Sequence, residues 1–248
     1  MPKLSVITVC FNAEKTIART IQSVQSQTCA ADIEHIIIDG ASKDATLAVL
    51  EKYKNNIAKI ISEKDNGLYD GMNKGIQLAT GNYIYFLNAD DAFYTKDTVE
   101  KIFASAANAD VYYGEVMFID EAGNEMDLRS KVTTQKTPET VTWKSFKKGM
   151  VVSHQAFIIK RSLCESYNLA YKISSDIDWM IRCLKNSSII INTHLIFAKF
   201  AAGGTSKQRQ KLAWKERYHI LQKHYGFIPN LFNHAAIIIR RIFSKSKY

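Results

Sequence analysis

Two adjacent carboxylates, Asp90 and Asp91, directly follow an apolar segment of the sequence. The residues before them, YIYFL at 83–87, have the composition of a buried β-strand. Neighbouring carboxylates repel each other, and burial disfavours their charged forms. The sequence therefore predicts that a positive group neutralises this pair.

Polar side chains also follow three other apolar segments of the first half of the chain. Asn12, Asp39 and Asp65 each lie at or just after the end of one such segment. Asp and Asn are common turn residues, so each of them alone could be a solvated turn. Parallel α/β sheets bind ligands beyond the carboxyl ends of their strands. Four polar strand ends together therefore indicate a binding site at one edge of a sheet.

The sequence lacks the glycine-rich loops that commonly hold nucleotide phosphates. CFNAEKT follows the first strand-like segment, and it matches neither GxGxxG nor GxxxxGK[ST]. A divalent cation bound by Asp90 or Asp91 could instead screen the carboxylates and bridge to a diphosphate. The alternative is that NADD at 88–91 is only a solvated turn.

The elements that would position these residues alternate between strand and helix patterns. Strands are predicted from continuous apolar runs at 4–11, 35–39, 58–62, 83–87 and 111–119. Helices are predicted from apolar residues at helical spacing over 14–28, after a cap at Ser42, from Tyr69 to Ala79, and after a cap at Thr95. This order predicts a single α/β domain with a mainly parallel central sheet and helices on both faces.

The pattern is looser after Gly123. In this part the sequence predicts a helix that starts at Thr137-Pro138, a strand at 154–161, a serine-capped helix at 174–184 and a glycine-marked turn at 200–206. There is no internal repeat and no low-complexity linker. One catalytic domain over 1–206, followed by an extension at 207–248, is therefore predicted.

Composition restricts the class of protein. The 248 residues are 46% hydrophobic, which is enough for one sizeable core. No secretory signal is recognised, and no segment approaches the roughly 20 apolar residues that span a bilayer. Four scattered cysteines without a C-x-x-C pair predict reduced thiols, and hence a cytoplasmic protein.

The positive charge is concentrated near the C-terminus. From Thr205 to Tyr248 there are ten Lys and Arg and a single acid, a balance of +9 that equals the formal net charge of the whole chain. Residues 1–204 are therefore neutral overall. With no recognition motif for DNA or RNA, no nucleic-acid partner is predicted.

The same C-terminal region contains an amphipathic pattern over 230–243. One stripe is formed by Leu231, Ala235, Ile238 and Ile242, with Phe232, Ile239 and Phe243 beside it and Arg240 and Arg241 following. A basic amphipathic helix can lie on an anionic membrane surface. Docking on the protein's own core or on a second subunit, as in a homodimer, is the alternative.

Five segments occur in an order that resembles a known family. They are SVITVCFNAEKTIARTIQSV, IIIDGASKDAT, SEKDNGLYDGMNKGI, GNYIYFLNADD and SSDIDWMIR. The chain resembles the family 2 glycosyltransferases of the GT-A fold, particularly bacterial enzymes that build surface polysaccharides. The resemblance is dense over about residues 3–120 and sparser to 206. It implies a nucleotide-binding half at about 1–120 and an acceptor half at about 121–206.

The resemblance also implies roles for the residues of the predicted edge. Phe11 matches the aromatic residue against the nucleotide base, and Asp39 matches a carboxylate that accepts from that base. Asp65 opens the segment that lines the donor pocket. Asp90 matches the carboxylate near ribose and diphosphate, and Asp91 matches the ligand of a divalent cation, Mn²⁺ or Mg²⁺. Many relatives read D-x-D-D here, whereas this chain has Asn88 first, which leaves the number of protein–metal bonds open.

The catalytic base is implied to lie in SSDIDWMIR. Asp176 matches the second member of an E-D pair, although Ser175 replaces the Glu, and Asp178 is a rival. Three further side chains have two interpretations each. Lys74 could bind a phosphate or be solvated. His154 could face the diphosphate or acceptor, or be a hydrogen-bonded strand residue. Trp179 could pack on an acceptor sugar or lie in the core.

The implied reaction is a single displacement with inversion at the anomeric carbon of a nucleotide sugar, with UDP as the expected nucleotide. The acceptor would be a saccharide, as in O-antigen, capsule or exopolysaccharide synthesis, and many relatives use one carried on a polyprenyl diphosphate. Such an acceptor would place the enzyme on the inner face of the cell membrane. The rival hypotheses are a metal-dependent nucleotidyltransferase and a non-catalytic module that binds sugar nucleotides or membranes.

Overall fold

The structure is a computed structural model that describes residues 3–120, 122–201 and 209–243, with side chains up to Ile239 in the last range. The described strands are β1 Leu4–Cys10, β2 Ile33–Asp39, β3 Lys59–Ser62, β4 Tyr83–Phe86, β5 Ala92–Phe93, β6 Val111–Ile119, β7 Glu125–Leu128, β8 Phe157–Lys160 and β9 Ile190–Ala201. The described α-helices are α1 Ile17–Gln25, α2 Thr46–Tyr53, α3 Leu68–Leu78, α4 Thr98–Ala104, α5 Arg129–Val132, α6 Ser175–Lys185, α7 Gln210–Tyr225 and α8 Phe227–Phe243.

The strands form one mixed sheet in the order β3-β2-β1-β4-β8-β6-β9-β5, with β7 paired to β6. The pairs β1–β2, β2–β3, β1–β4 and β6–β9 are parallel, whereas the pairs made by β5, β7 and β8 are antiparallel. All seven residues of β1 are buried, as expected for a strand covered on both faces. The predicted α/β fold with a mainly parallel sheet is confirmed.

Alternate residues of the central strands contribute to two apolar clusters. Ile37 of β2 packs in one cluster with Ile21 of α1 and Leu50 of α2. Its neighbours Ile36 and Ile38 belong to the larger cluster, which includes Met72 of α3. Successive side chains of a strand point to opposite faces, so α1 and α2 lie on one face of the sheet and α3 on the other.

Two predicted helix caps are at the wrong position, and a third, Ser174, is at the N-cap of α6 but makes no capping hydrogen bond with its side chain. The helix expected after Ser42 begins at Thr46, and the hydroxyl of Ser42 donates to Asp39 instead. The helix expected after Thr95 begins at Thr98, and the hydroxyl of Thr95 donates to the Asp97 carboxylate at 2.6 Å. In both cases a nearby carboxylate competes for the hydroxyl that would have capped the helix.

The second half differs more from its prediction. No helix begins at Thr137-Pro138; the carbonyl of Pro138 accepts a hydrogen bond from Tyr113 at 3.0 Å, and a 3₁₀ turn begins only at Trp143. In the predicted strand at 154–161, residues 154–156 form a 3₁₀ turn and only 157–160 pair in the sheet. Strands β5, β7 and β9 were not predicted. Of the expected turn at 200–206, residues 202–206 lie outside the described residues.

The C-terminal helices lie beyond the predicted boundary at residue 206. Helix α7 buries Ala213, Glu216, Ile220 and Leu221, so it packs on the preceding domain. Helix α8 buries Asn230, whose amide donates to the carbonyl of Tyr218 in α7 at 3.1 Å. None of the helices in the described ranges is long and apolar enough to cross a membrane.

Candidate active site at the carboxyl ends of the strands

The carboxyl ends of three parallel strands are level with one another. Cys10 at the end of β1 pairs with Asp39 at the end of β2, and Asp39 pairs with Ser62 at the end of β3. This register brings the loops that follow the three strands to one edge, as the sequence predicted. Of the predicted donor residues, Phe11, Asp65 and Asp90 lie in the loops after β1, β3 and β4. Asp39 is the last residue of β2, and Lys74 lies within α3.

Asp39 is fully buried at the base of this edge. One carboxylate oxygen, Oδ2, accepts from the backbone N–H of Ser42 at 3.1 Å and from the hydroxyl of Ser62 at 2.7 Å. The other, Oδ1, accepts from the hydroxyl of Ser42. Asp39 therefore anchors the turn after β2, and its contact with a nucleotide base stays a prediction.

Phe11 and Asn12 form the turn after β1. The ring of Phe11 is 62% exposed, and a Cβ added to Gly40 would lie 3.5 Å from it, so the ring stands beside the turn after β2. Asn12 has a left-handed backbone with φ of 51°, and its side-chain oxygen accepts from the N–H of Lys43 at 2.8 Å. An exposed aromatic ring beside these two turns suits stacking on a base.

Asp65 and Lys74 form an ion pair beside Phe11. Nζ of Lys74 lies 2.5 Å from Oδ1 of Asp65 and 2.8 Å from Oε1 of Glu63. Burial opposes the charged form of Lys74, but the hydrogen bonds to these two carboxylates outweigh it and raise the lysine pKa. Lys74 is thus a partner of carboxylates, and its binding to a phosphate stays a prediction.

Gly71 of α3 allows Asp65 to take its position. A Cβ at residue 71 would lie 2.9 Å from Oδ2 of Asp65 and 2.8 Å from Val9, closer than ordinary contacts permit. The absence of a side chain therefore lets α3 pack directly against the end of β1 and the Asp65 carboxylate.

Arg19 of α1 lies beside the adjacent carboxylates that follow β4. Its Nη2 donates to the backbone carbonyl of Asp90 at 2.6 Å, and its charge opposes the increase in pKa that burial causes at both Asp90 and Asp91. Thr20, the next residue of α1, donates its hydroxyl to the carbonyl of Asp91 at 2.6 Å. Part of the neutralising charge predicted from the sequence therefore comes from the protein itself.

Asp91 is buried, and only one of its two carboxylate oxygens accepts a hydrogen bond among the described residues. Oδ1 accepts from the N–H of Ala201 at the end of β9, at 3.1 Å, whereas Oδ2 has no hydrogen-bond partner among the described residues. Burial and the charge of Asp90 raise the pKa of Asp91 well above its usual range, against the opposing effects of Ala201, Gln155 and Arg19. Burial likewise raises the pKa of Asp90.

The carboxylates of Asp90 and Asp91 fit a divalent cation such as Mg²⁺ or Mn²⁺. A buried, unpartnered carboxylate oxygen is costly unless a positive group approaches it. In the described part of the chain no three His, Cys, Asp or Glu side chains converge as a metal site. The residues therefore suit a cation held by one or two carboxylates and completed by substrate phosphates, rather than a cage made by the protein alone.

Asp176 lies in the first turn of α6 and faces α3 and α7. Its Oδ1 accepts from the N–H of Ile177 at 2.9 Å and lies 3.3 Å from the hydroxyl of Tyr69. Burial raises the pKa of Asp176, against the charge of Arg217 and these two hydrogen bonds. A partly exposed carboxylate with a raised pKa is a suitable acceptor for a proton at neutral pH.

Asp178 is a buried ion-pair partner. Its side chain has no exposed surface; Oδ2 lies 2.8 Å from Nε of Arg182, and Oδ1 lies 2.8 Å from Nε2 of His224 in α7. Burial alone would raise its pKa, but the hydrogen bonds from His224 and Arg182 prevail and lower the pKa to about 2. A carboxylate held in this way is a poor proton acceptor.

Trp179 and His154 belong to an aromatic cluster inside the protein. Trp179 is fully buried, donates to the carbonyl of Glu165 at 2.6 Å and stacks on Tyr167 with centroids 5.0 Å apart. His154 is also buried, stacks on Phe86 at 5.1 Å and hydrogen-bonds the hydroxyl of Tyr167 at 2.5 Å. Burial lowers the pKa of His154 to about 3, so it is neutral. Trp179 thus lies in the core, which was its alternative interpretation. His154 is hydrogen-bonded inside the protein, but in a 3₁₀ turn and not in a strand. The acceptor roles of both residues stay predictions.

Three residues of the site lacked a recognisable signal in the sequence. Arg19 and Arg217 are single basic residues of helices, where a lysine or arginine is usually solvated, and Tyr69 marked the buried face of α3. Nε of both arginines is buried without a hydrogen-bond partner in the described part of the chain. Only the tertiary packing of α1, α3 and α7 brings these side chains to the carboxylates.

The sheet and its acidic edge define a GT-A-like fold, and comparison with known proteins agrees. The family model described as "Glycosyl transferase family 2" matches residues 5–167, so the chain belongs to glycosyltransferase family 2. A PGL/p-HBAD biosynthesis glycosyltransferase of Mycobacterium tuberculosis is 30% identical over 212 residues, which are 80% of this chain and 77% of that protein. An uncharacterized glycosyltransferase of the same species is 29% identical over 98% of this chain and 93% of its own length.

Solved structures share the fold at lower identity. S. aureus TarS 1–349 in complex with UDP-GlcNAc superposes with a TM-score of 0.73 at 18% identity, over 99% of this chain and 74% of that chain. The same fragment in complex with UDP gives 0.68 at 19% identity, over 88% of this chain and 64% of that one. Mannosyltransferase PcManGT from Pyrobaculum calidifontis, in complex with GDP-Man and Mn²⁺, gives 0.65 at 16% identity, over 96% and 70%.

Proposed function

We propose that this protein transfers a sugar from a UDP-linked donor to a saccharide acceptor, with inversion at the anomeric carbon and dependence on Mn²⁺ or Mg²⁺. The acceptor is carried on a polyprenyl diphosphate, and the product belongs to a surface polysaccharide such as O-antigen, capsule or exopolysaccharide. The observation that carries the proposal is the buried, unpartnered Oδ2 of Asp91, next to Asp90 at the carboxyl end of the sheet. The nucleotide-sugar complexes of TarS and PcManGT support the same class of donor.

Four residues of the edge would hold the donor. Phe11 would stack on the base, and Asp65, kept in place by Lys74, would line the pocket next to it. Asp90 would contact the ribose and diphosphate. A divalent cation at Asp91 would stabilise the negative charge of the departing diphosphate.

Asp176 would act as the general base. It would accept the proton of the acceptor hydroxyl as that oxygen attacks the anomeric carbon from the side opposite the nucleotide. The bond to the diphosphate breaks in the same step, which inverts the configuration. Tyr69, 3.3 Å from Oδ1 of Asp176, would keep the carboxylate oriented.

A donor screen followed by product analysis tests the proposal. UDP-glucose, UDP-N-acetylglucosamine and GDP-mannose, each with Mn²⁺, are compared by thermal shift, because a ligand of the native state raises the melting temperature. We expect one UDP-sugar to stabilise the protein and then to release UDP slowly by hydrolysis. Asp91→Asn should abolish the metal-dependent part of the UDP affinity measured by calorimetry, whereas Asp120→Asn, in the exposed turn before β7, should not.

The rival functions give other products. A nucleotidyltransferase would release pyrophosphate from a nucleoside triphosphate and a sugar 1-phosphate, which would refute the proposal. A non-catalytic module would show the thermal shift without any UDP release. If the metal-dependent affinity for UDP is unchanged in Asp91→Asn, Asp91 is not the metal ligand.

Helix α8 suggests where the enzyme works. Its exposed apolar residues are between 46% and 73% accessible and comprise Phe227, Ile228, Leu231, Phe232, Ile238 and Ile239. At about 100° per residue they fall on one side of the helix, opposite Asn230 and Ile237, which face the protein. This apolar face adjoins the basic C-terminus, so we propose that α8 binds the anionic inner face of the cell membrane, where lipid-linked acceptors reside.

Vesicle sedimentation tests the role of α8. Replacing Leu231, Phe232 and Ile239 by Ser should abolish binding to phosphatidylcholine vesicles that contain phosphatidylglycerol. The matched control replaces three exposed apolar residues of other elements, Leu47, Leu169 and Ile189, by Ser. If the α8 variant instead converts a dimer to a monomer by light scattering, with vesicle binding unchanged, the face is a subunit interface.

A further inference from the structure

Glu216 of α7 binds the N-terminal end of α6. Its Oε1 accepts from the N–H of Lys172 at 2.7 Å, and its Oε2 accepts from the N–H groups of Ile173 and Ser174, both at 2.9 Å. Glu216 is buried, and it is the single acidic residue between Thr205 and Tyr248. A buried carboxylate with three backbone donors is a specific, charge-assisted contact rather than a solvated surface charge.

Helix α6 lacks a side-chain cap of its own, and Glu216 holds the backbone just before it. Ser174 stands at the N-cap position, but its side chain makes no capping hydrogen bond and lies 3.4 Å from the carbonyl of Ala213 in α7. The first N–H groups of a helix lack partners within the helix, and a negative charge near them is favourable. Glu216, from another helix, accepts from the N–H of the N-cap residue Ser174 and of the two residues before it, and it places a negative charge at the N-terminal end, so α7 fixes the start of α6.

The start of α6 is the segment that carries Asp176. Tyr69 joins the same group of residues, because its hydroxyl donates to the carbonyl of Ile173 at 2.8 Å and lies 3.3 Å from Oδ1 of Asp176. The charged and titratable groups that act on Asp176 are Tyr69 from α3, Arg217 from α7 and Tyr167 before α6, while Glu216 acts on Tyr69. The backbone before the base is held from two sides.

We propose that Glu216 is a positioning residue of the transfer reaction, which acts by fixing residues 172–174 and, through them, the orientation of Asp176. This inference rests on the proposed function, in which Asp176 is the base. It makes α7 part of the catalytic unit. A C-terminal truncation before α7 would accordingly impair the reaction even with the donor site intact.

The test compares Glu216→Ala and Glu216→Gln with Glu34→Gln. Gln keeps one oxygen that can accept from Ile173 and Ser174 but turns an amide toward Lys172, so its effect should be smaller than that of Ala. Glu34 is a matched control, because it is buried and accepts from Ser5, from the N–H of Thr80 and from its hydroxyl, at the far end of the sheet. All variants are assayed with UDP-glucose or UDP-N-acetylglucosamine and Mn²⁺, below their melting temperatures.

We expect Glu216→Gln and Glu216→Ala to lower kcat by about 10- to 100-fold, with the larger loss for Ala, as found for residues that orient the ligands of a metal site. The affinity for UDP with Mn²⁺ should not change, and Glu34→Gln should retain the native kcat. If Glu216→Ala does not fold, Glu216→Gln alone decides the result. Equal kcat values for Glu216→Gln and Glu34→Gln would overturn the proposal.

A double-mutant cycle separates this inference from the proposed function. If Glu216 acts through Asp176, Glu216→Gln combined with Asp176→Asn should be no slower than Asp176→Asn alone. If the double variant instead shows the product of the two single losses in kcat, the positioning role of Glu216 is overturned, whereas the assignment of Asp176 as the base remains. An Asp176→Asn variant with native kcat would refute the base itself, and the positioning role with it.

Discussion

Replacing Asp178 by Asn should destabilise the fold without removing the catalytic base. Asp178 is fully buried and lies between Nε of Arg182 and Nε2 of His224, both at 2.8 Å. Asn can accept from one of these donors but turns its own amide donor toward the other. The substitution therefore leaves a buried donor unpaired and removes one of the two carboxylates that pair with Arg182, the other being Glu165.

The pKa of Asp178 gives the size of the effect. It falls from an ordinary value of 3.8 to about 2 through the hydrogen bonds that outweigh burial. At about 1.4 kcal/mol for each pKa unit, the ionised carboxylate contributes roughly 2–3 kcal/mol to the free energy of unfolding at pH 7. For a chain of this length that corresponds to a melting temperature lower by about 5–10 °C.

The sign of the pH dependence follows from the lowered pKa. The contribution of Asp178 is complete above its unfolded-state pKa and is lost as the pH falls through the folded-state pKa of about 2. The difference between the native protein and Asp178→Asn should therefore shrink only below about pH 4. Asp176 has the opposite sign, because burial raises its pKa, so Asp176→Asn should not lower the melting temperature at pH 7.

Thermal unfolding by circular dichroism, together with donor turnover, measures both effects on the matched pair of variants. We expect Asp178→Asn to melt earlier but to keep turnover within about tenfold when assayed below its transition. Asp176→Asn should keep its melting temperature and lose about 10²- to 10⁴-fold in turnover. The reasoning is refuted if Asp178→Asn melts like the native protein, or if it is the inactive variant while Asp176→Asn turns over normally.

Three further variants probe the donor edge. Gly71→Ala places a Cβ 2.9 Å from Oδ2 of Asp65, so it should cost roughly 1–3 kcal/mol of unfolding free energy and weaken UDP binding; native stability in urea would contradict this. Lys74→Met leaves the Asp65 carboxylate without its ion pair, so UDP affinity by calorimetry should fall; an unchanged affinity would show that the pair does not shape the pocket. Arg19→Met removes the cation that lowers the pKa of Asp91, so adding Mn²⁺ should raise the melting temperature more than it does in the native protein; a smaller rise would contradict this charge balance.

The parallel half of the fold was predictable because its elements are determined locally. Each strand from β1 to β4 is a continuous apolar run, and each helix between them repeats its apolar residues at helical spacing. Polar residues after these runs must then lie at one edge, which located Asp39, Asp65, Asp90 and Asp91. The first residues of the helices were less predictable. At Ser42, for example, a nearby carboxylate competes for the hydroxyl that was expected to cap the helix.

The acceptor half was less predictable because its elements depend on distant partners. Strand β9 pairs with β6 and supplies the N–H of Ala201 to Asp91, a contact between residues 110 positions apart in the sequence. Likewise, the start of α6 is held by Glu216, 42 to 44 positions further along the chain, rather than by its own serine. No local pattern in the sequence indicates contacts between residues so far apart along the chain.

The configuration of the sugar that the enzyme first releases tests the central claim most directly. Proton NMR follows the hydrolysis of a UDP-α-linked sugar by the native protein with Mn²⁺, with EDTA, and by Asp176→Asn with Mn²⁺. The account predicts that the β-anomer forms first, only with the metal, and that Asp176→Asn produces it at least 10²-fold more slowly. First release of the α-anomer, or equal rates for the native protein and Asp176→Asn, would contradict it.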